Sequence, residues 1–400
     1  NPELGKRFTY RNQICPEAAG LQLALDTPED FKYFSTIFSQ ADVEPSSLSL
    51  QKIYEIISRP SINSPWRGES GPLLIAEIGG NHEGDFETAK IMCQLAIDSG
   101  VDCVKFQLYR GDSLVSAVEA PDRHKHFQKF ELTREHHIEL AEMCQKAGVI
   151  YCASVWVLEM LEWIDQYLDF YKVGSGDLTA WPLLKEFVTR GKPILLSTGL
   201  ATMEEVLQTV DFIQREDQRY LNPEMLCIMQ CTSMYPIPDQ DANLRVMDSY
   251  RSATGLAVGY SDHTIGDFAL SVAASMGASV LEFHFTESRE GKTFRDHTVS
   301  LTAPEVKELK RIISRITELR GEDLKRPTQS EIQNQHGVSF RRAVYLRNPV
   351  SRGEQIKEED LIYLRPLHGT DPRDMDLVLG SRALRDLKPF QQISYKVDYE

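Results

Sequence analysis

Two stretches of the sequence each place a histidine at the end of an apolar run: GYSDHTIG, residues 259–266, and VLEFHFTE, residues 280–287. A histidine in a core strand is ordinarily satisfied by one hydrogen bond. His263 and His284, closing consecutive strand-like runs, can instead converge on one ion. No cysteine lies close to either in sequence, so the remaining ligands would be water or a substrate oxygen. That mixed nitrogen and oxygen set suits a divalent cation, Mn²⁺ first and Mg²⁺ second, better than a closed zinc site. Asp262 and Asp296 could orient the two rings or touch substrate. His82 and His297, and His124, His126, His136 and His137, which are expected at the surface, are given no ligand role.

Similar runs recur upstream. Strand candidates are LLIAEIG (73–79), CVKFQ (103–107), VIYCAS (149–154), FYKVGS (170–175), PILLST (193–198), MLCIMQCT (225–232), LAVGYS (256–261) and VLEFHF (280–285). Their ends carry Glu77, Lys105 with Gln107, Ser154, Lys172 with Ser175, Ser197, Ser233 with Tyr235, Ser261 with His263, and His284. A lysine inside an apolar strand is costly without a partner. One alone could simply pair with a carboxylate, whereas Lys105 and Lys172 aimed at one mouth predict an anion site helped by serine hydroxyls. Glu77 is the candidate acid–base, its pKa set by burial and neighbours.

These ends must be brought together. The runs are apolar throughout, as in parallel strands buried on both faces. Amphipathic stretches separate them, such as DFETAKIMCQLAIDSG and TREHHIELAEMCQKAG, each opening on an N-cap residue and closing at glycine. Eight strand–helix units over about 250 residues predict a (β/α)₈ barrel, with the strand ends forming the active face. An open doubly wound sheet would need a glycine-rich fingerprint that IGGNHEGD lacks.

The domain reading is a leading segment (1–70), a barrel (71–325), a polar connector (326–338) and a small β-rich domain (339–400). In the last, LRNPVSRGEQI and LRDLKPFQQI look alike and suggest two related halves. A net charge of −15 argues against general nucleic-acid binding. No apolar run approaches the ~20 residues of a membrane span. Seven cysteines without a CxxC pair read as reduced thiols in a cytoplasmic protein. Cys227 and Cys231 are expected to be packing residues.

Taken in order, IAEIGGNHEGD, VKFQ, KVGSGD, LSTG, QCTSMYP, GYSDHTIG and HFT resemble the sialic acid synthase family. RRAVYLRNPVSRGEQIKEEDLIYLRP resembles that family's C-terminal antifreeze-like (SAF) domain. The resemblance implies a metal-dependent condensation of phosphoenolpyruvate with an N-acetylated sugar, releasing phosphate and giving a nonulosonic acid. It implies that Lys105, Lys172, Ser175, Ser197, Ser233 and Ser261 hold the phosphoenolpyruvate, with Ser154 a further substrate-binding residue. His263 and His284 would bind the metal, and Gln107, Tyr235 and Asp296 would contact the sugar. Arg365 would enter the site of a partner subunit in a domain-swapped homodimer.

The sequence departs from the family at Glu83, at Phe283 before the second histidine, and in TESREGKTFRDH (286–297). These departures fall on the sugar side. They leave open N-acetylmannosamine, a diacetamido-trideoxy sugar, or a spore-coat polysaccharide precursor. Another phosphoenolpyruvate-dependent aldol synthase of the Kdo 8-phosphate type is the rival enzyme, and a non-catalytic carbohydrate-binding scaffold the rival class. The opening NPELGKRF and GLQLALDTPEDFKYFSTIF resemble the tail of cytidylyltransferase-like proteins of spore-coat polysaccharide synthesis; the alternatives are a piece of a fused polypeptide and a lineage-specific helical extension.

Overall fold

The structure, a computed structural model, describes residues 64–322 and 324–400. The expectations for the leading segment before residue 64, including the cytidylyltransferase-like tail, lie outside the described residues. The described chain falls into two compact units, the first ending at Gly321 and the second running Glu322–Glu400.

In the first unit, eight parallel strands form a nearly closed barrel with helices around it. They are β2 (Gly71–Glu77), β3 (Cys103–Leu108), β4 (Ile150–Val155), β5 (Tyr171–Val173), β6 (Ile194–Ser197), β7 (Leu226–Cys231), β8 (Ala257–Asp262) and β9 (Val280–His284). A short β1 (Arg67–Gly68) precedes them and pairs antiparallel with β2. The parallel ladder runs β4-β3-β2-β9-β8-β7-β6-β5. Each expected strand is present, shifted by a few residues at most.

The apolar runs conceal a period of two. Leu74, Ala76, Val104, Phe106, Leu226, Ile228, Leu281 and Phe283 pack outward against the helices. Their alternates Leu73, Ile75, Cys103, Cys227, Met229 and Val280 fill the barrel interior, as the pleat requires. Continued toward the strand C-termini, the same inner rows change chemistry. They carry Glu77, Lys105, Ser154, Lys172, Ser197, Ser261, Glu282 and His284, all buried.

The helices are fastened as their sequences direct. Asp85 accepts a hydrogen bond from the Thr88 amide at the start of the helix Phe86–Ser99, and Gly100 ends it with φ 82°. Thr133 and Gly148 (φ 72°) do the same for the helix Arg134–Ala147. One expectation fails there: His137 is fully buried rather than exposed. It lies on the core-facing side of that helix, with Nδ1 2.7 Å from the Tyr151 hydroxyl.

Trp66 closes the opposite end of the barrel. It packs with the inner cluster, meets Phe170 edge-on at 5.7 Å and donates its indole N–H to the Pro223 carbonyl at 2.8 Å.

The second unit is a small β-rich fold around Val344, Leu346, Val350, Ile356, Leu361 and Leu387. β10 (Ala343–Leu346) pairs antiparallel with β11 (Leu361–Leu364). The two similar segments meet across an antiparallel bridge, Val350 to Leu387.

Because Trp66 fills the closed end of the inner core, Trp66→Ala is expected to cost about 3–5 kcal/mol of stability in urea unfolding. An unchanged midpoint would show that the indole does not plug the barrel.

Candidate active site

The polar inner rows open into a cavity of about 1050 Å³. Every candidate of the sequence reading except Asp262 and Arg365 lines it: Glu77, Lys105, Gln107, Ser154, Lys172, Ser175, Ser197, Ser233, Tyr235, Ser261, His263, His284 and Asp296. Arg365 belongs to the second unit, just after β11, where its guanidinium lies 6.0 Å from the Phe340 ring centroid.

Register brings the charges together. β2 lies between β3 and β9, with Glu77 opposite Lys105 on one side and His284 on the other. Lys105 Nζ lies 2.6 Å from Glu77 Oε2 and 3.5 Å from Glu282 Oε1, and donates to Ser154 Oγ at 3.3 Å. Lys172 Nζ donates to Ser197 Oγ at 2.7 Å and lies 3.2 Å from Glu282 Oε2. Gln107 donates to Glu77 Oε1 at 2.9 Å. The two lysines therefore share Glu282, and the four charges cancel.

Their pKa values diverge by environment. Burial pushes Glu77 up, and repulsion from Glu282 adds to it, against the pull of Lys105. Burial also acts on Glu282, but Lys172 and Lys105 outweigh it and hold its pKa at about 2. Burial opposes the charge on Lys105, yet Glu77 and Glu282 keep it above the usual lysine value. Two buried carboxylates thus have opposite tendencies, Glu77 toward holding a proton and Glu282 toward remaining an anion.

A hydroxyl cradle adjoins the lysines. Ser175 Oγ accepts from the Gly199 amide at 3.0 Å. A Cβ on Gly199 would fall 2.3 Å from Ser233 Oγ and 2.8 Å from Ser175 Oγ, so only glycine fits between them.

The histidines converge as well. Their ring centroids are 5.2 Å apart, and Tyr235 sits 4.0 Å from that of His263. His263 Nδ1 donates to the Thr232 carbonyl at 2.7 Å, so in the neutral ring Nε2 carries the lone pair. Burial lowers His284 to about 4, so it is a neutral imidazole near pH 7. Its Nδ1 is buried without a hydrogen-bond partner, 3.9 Å from Asp296 Oδ2. Burial lowers His263 as well, but Cys231 and the Thr232 carbonyl outweigh it and push its pKa up. Two imidazoles, one with an orphaned ring nitrogen, fit a divalent cation. Among the described residues no group of three or more His, Cys, Asp or Glu side chains forms a metal cluster, so further ligands would come from water or substrate.

Sequence reasoning missed Glu282, which stands two residues before His284 on the same inward row. Counting back by two from the histidine would have found it. Two other expectations are corrected. Cys231 is more than a packing residue: it lines the cavity, with Sγ 3.9 Å from His263 Nδ1 although distant in sequence. Asp262 does not orient a histidine, because it accepts from the Thr264 amide and hydroxyl and from the Tyr260 hydroxyl.

The match to known proteins spans both units. Residues 92–325 match the NeuB family. The chain belongs to the NeuB family. Residues 341–396 match the SAF domain, so this NeuB protein carries both parts. The N,N'-diacetyllegionaminic acid synthase of Legionella pneumophila is 33% identical, over 78% of this chain and 91% of that protein. Human N-acetylneuraminate-9-phosphate synthase is 34% identical, over 80% of this chain and 90% of its own. In structure the NeuB chain is similar to the sialic acid synthetase of Leptospira borgpetersenii, at TM-score 0.61 and 26% identity over 66% of this chain and 90% of that one. Among the described residues no helix is long and apolar enough to cross a membrane.

Glu282→Ala leaves the buried Lys172 ammonium without a carboxylate, with Lys105 still held by Glu77, and should cost about 3–5 kcal/mol in urea unfolding. Adding Lys172→Met should recover part of that loss. A single variant as stable as the parent would contradict the shared ion pair.

Proposed function

We propose that this chain condenses phosphoenolpyruvate with the open-chain form of an N-acetylated hexose, forming a nonulosonic acid and releasing phosphate. The observation that carries the reading is the convergence, in one cavity, of two lysines, a hydroxyl cradle, a buried carboxyl and two imidazoles. Each part answers one demand of that reaction.

Lys105 and Lys172 hold the carboxylate and phosphate of the enol, with Ser154, Ser175, Ser197, Ser233 and Ser261 donating to their oxygens. Fixing both ends turns carbon 3 toward the aldehyde, so orientation contributes beside charge. Gln107, Tyr235 and Asp296 position the sugar. His263 and His284 would hold a divalent cation, Mn²⁺ or Mg²⁺. Such an ion, when bound, supplies Lewis acidity at a carbonyl oxygen.

The bond between carbon 3 and the aldehyde carbon forms with the enol electrons, and the aldehyde oxygen gains a proton. Glu77, whose pKa burial raises, takes up a proton and gives it from its carboxyl. The resulting carboxylate then takes one from the water that adds at carbon 2. Cleavage of the carbon–oxygen bond to phosphate, with the carbon 2 hydroxyl proton passing to the departing phosphate, leaves the 2-keto acid. The family resemblance further assigns Arg365 to the site of a partner subunit in a domain-swapped homodimer.

Phosphate should be released only when phosphoenolpyruvate, Mn²⁺ and an acetamido sugar are all present, and His263→Ala or chelation should lower turnover at least about a hundredfold. Full activity in excess chelator would remove the metal from the reaction. For the dimer, mixing Arg365→Ala with Lys105→Ala subunits under exchange should restore one working site in a mixed pair. Absence of rescue would remove the trans-acting arginine.

A further inference from the structure

One wall of the cavity has no part in the chemistry above, and it is made of rings. Tyr109 and Trp156 follow β3 and β4. His126, Phe127 and Phe130 come from the helix Pro121–Phe130, and Phe294 from the loop after β9. They form a continuous surface. His126 lies 4.1 Å from Phe130 and 5.6 Å from Phe294, and Phe130 lies 5.2 Å from Phe294. Tyr109 touches Phe127 at 5.1 Å and Trp156 at 5.4 Å. His126, Phe127, Trp156 and Phe294 are only half-buried, so apolar faces look into the cavity.

The wall is held in place. A Cβ on Gly80, just past Glu77, would come within 3.2 Å of both Phe130 and Phe294. The loop carrying Phe294 is pinned by Arg289 to Glu305 at 2.6 Å and to the Ser300 carbonyl at 2.7 Å. This is the TESREGKTFRDH segment, whose sequence departs from the family.

Charge at the wall is poorly suited to a phosphate. Arg123 and Arg295 line the cavity together with Asp122, Asp177 and Asp296. Arg295 is engaged, with Nε 3.1 Å from Asp296 Oδ1 and its guanidinium 4.6 Å from the Tyr235 ring. Arg123 lies 5.7 Å from the Phe127 ring. A dianion arriving here would meet more carboxylates than guanidiniums. An apolar substituent would instead displace loosely held water from ring faces.

We propose that this wall is the subsite for the distal half of the acceptor sugar. It selects an uncharged chain bearing apolar substituents, a second acetamido methyl or a terminal methyl, over a sugar phosphorylated at its terminal carbon. The assignment rests on the condensation proposed above and adds the class of acceptor.

The test is steady-state phosphate release by the full chain with saturating phosphoenolpyruvate and Mn²⁺. The acceptors are a 2,4-diacetamido-2,4,6-trideoxyhexose, N-acetylmannosamine and N-acetylmannosamine 6-phosphate. The diacetamido sugar should have the highest kcat/KM, about tenfold or more above N-acetylmannosamine, and the 6-phosphate the lowest. Phe294→Ala and, separately, His126→Ala should each lower the diacetamido to N-acetylmannosamine ratio about tenfold; if the first fails to fold, the second decides. A preference for the 6-phosphate, or a ratio unmoved in the folded variants, overturns the subsite while leaving the condensation intact. No release with any acceptor overturns the condensation and the subsite with it.

Discussion

Glu77, Lys105, Lys172 and Glu282 are only 2–5% exposed inside one barrel, and no two of them share a strand. A lone buried charge costs several kcal/mol, so each is tolerable only when its partners are delivered by other strands. The ladder does this by seating β2 between β3 and β9. An open arrangement of the same strands would carry Lys172, on β5 at the end of the ladder, away from Glu282 on β9. The charged ring therefore ties barrel closure to the site, since the contacts that neutralise the charges also aim them into the cavity.

That neutrality bears on how an anion would be held. The lysines are matched by carboxylates in the resting site, so bare positive charge cannot be the whole attraction. Serine hydroxyls around Gly199 add dipoles that need no counterion. Glu77, pushed up by burial, can hold a proton and so release Lys105 for an incoming oxygen. In the proposed reaction these are two aspects of one device: the same carboxyl that frees the lysine supplies the proton for the new hydroxyl.

Much of this was legible in the sequence, for a physical reason. A parallel strand buried on both faces reads as an apolar run, and its polar terminal residue stands out because nothing structural calls for it there. Glu77, Lys105, Lys172, Ser197 and both histidines were visible on that ground. Glu282 was not, because it sits mid-run and its meaning depends on counting inward-facing alternates back from His284. Cys231 was misread because its neighbour His263, just past the next strand, is distant in sequence. Asp262 was misread because its own local partners Tyr260 and Thr264 take up its carboxylate. The aromatic wall was invisible as a unit, since a helix, two strand ends and a loop each supply part of it.

The account stands on the lysines gripping an anion within the ring of buried charges. The direct measurement is calorimetric titration of phosphoenolpyruvate into the parent chain and into Lys105→Met and Lys172→Met variants that still unfold cooperatively. Each substitution should weaken binding about a hundredfold, the cost of removing a buried charged partner. Variants that bind as tightly as the parent would mean the lysines serve only the barrel, and the anion site would have to be sought elsewhere.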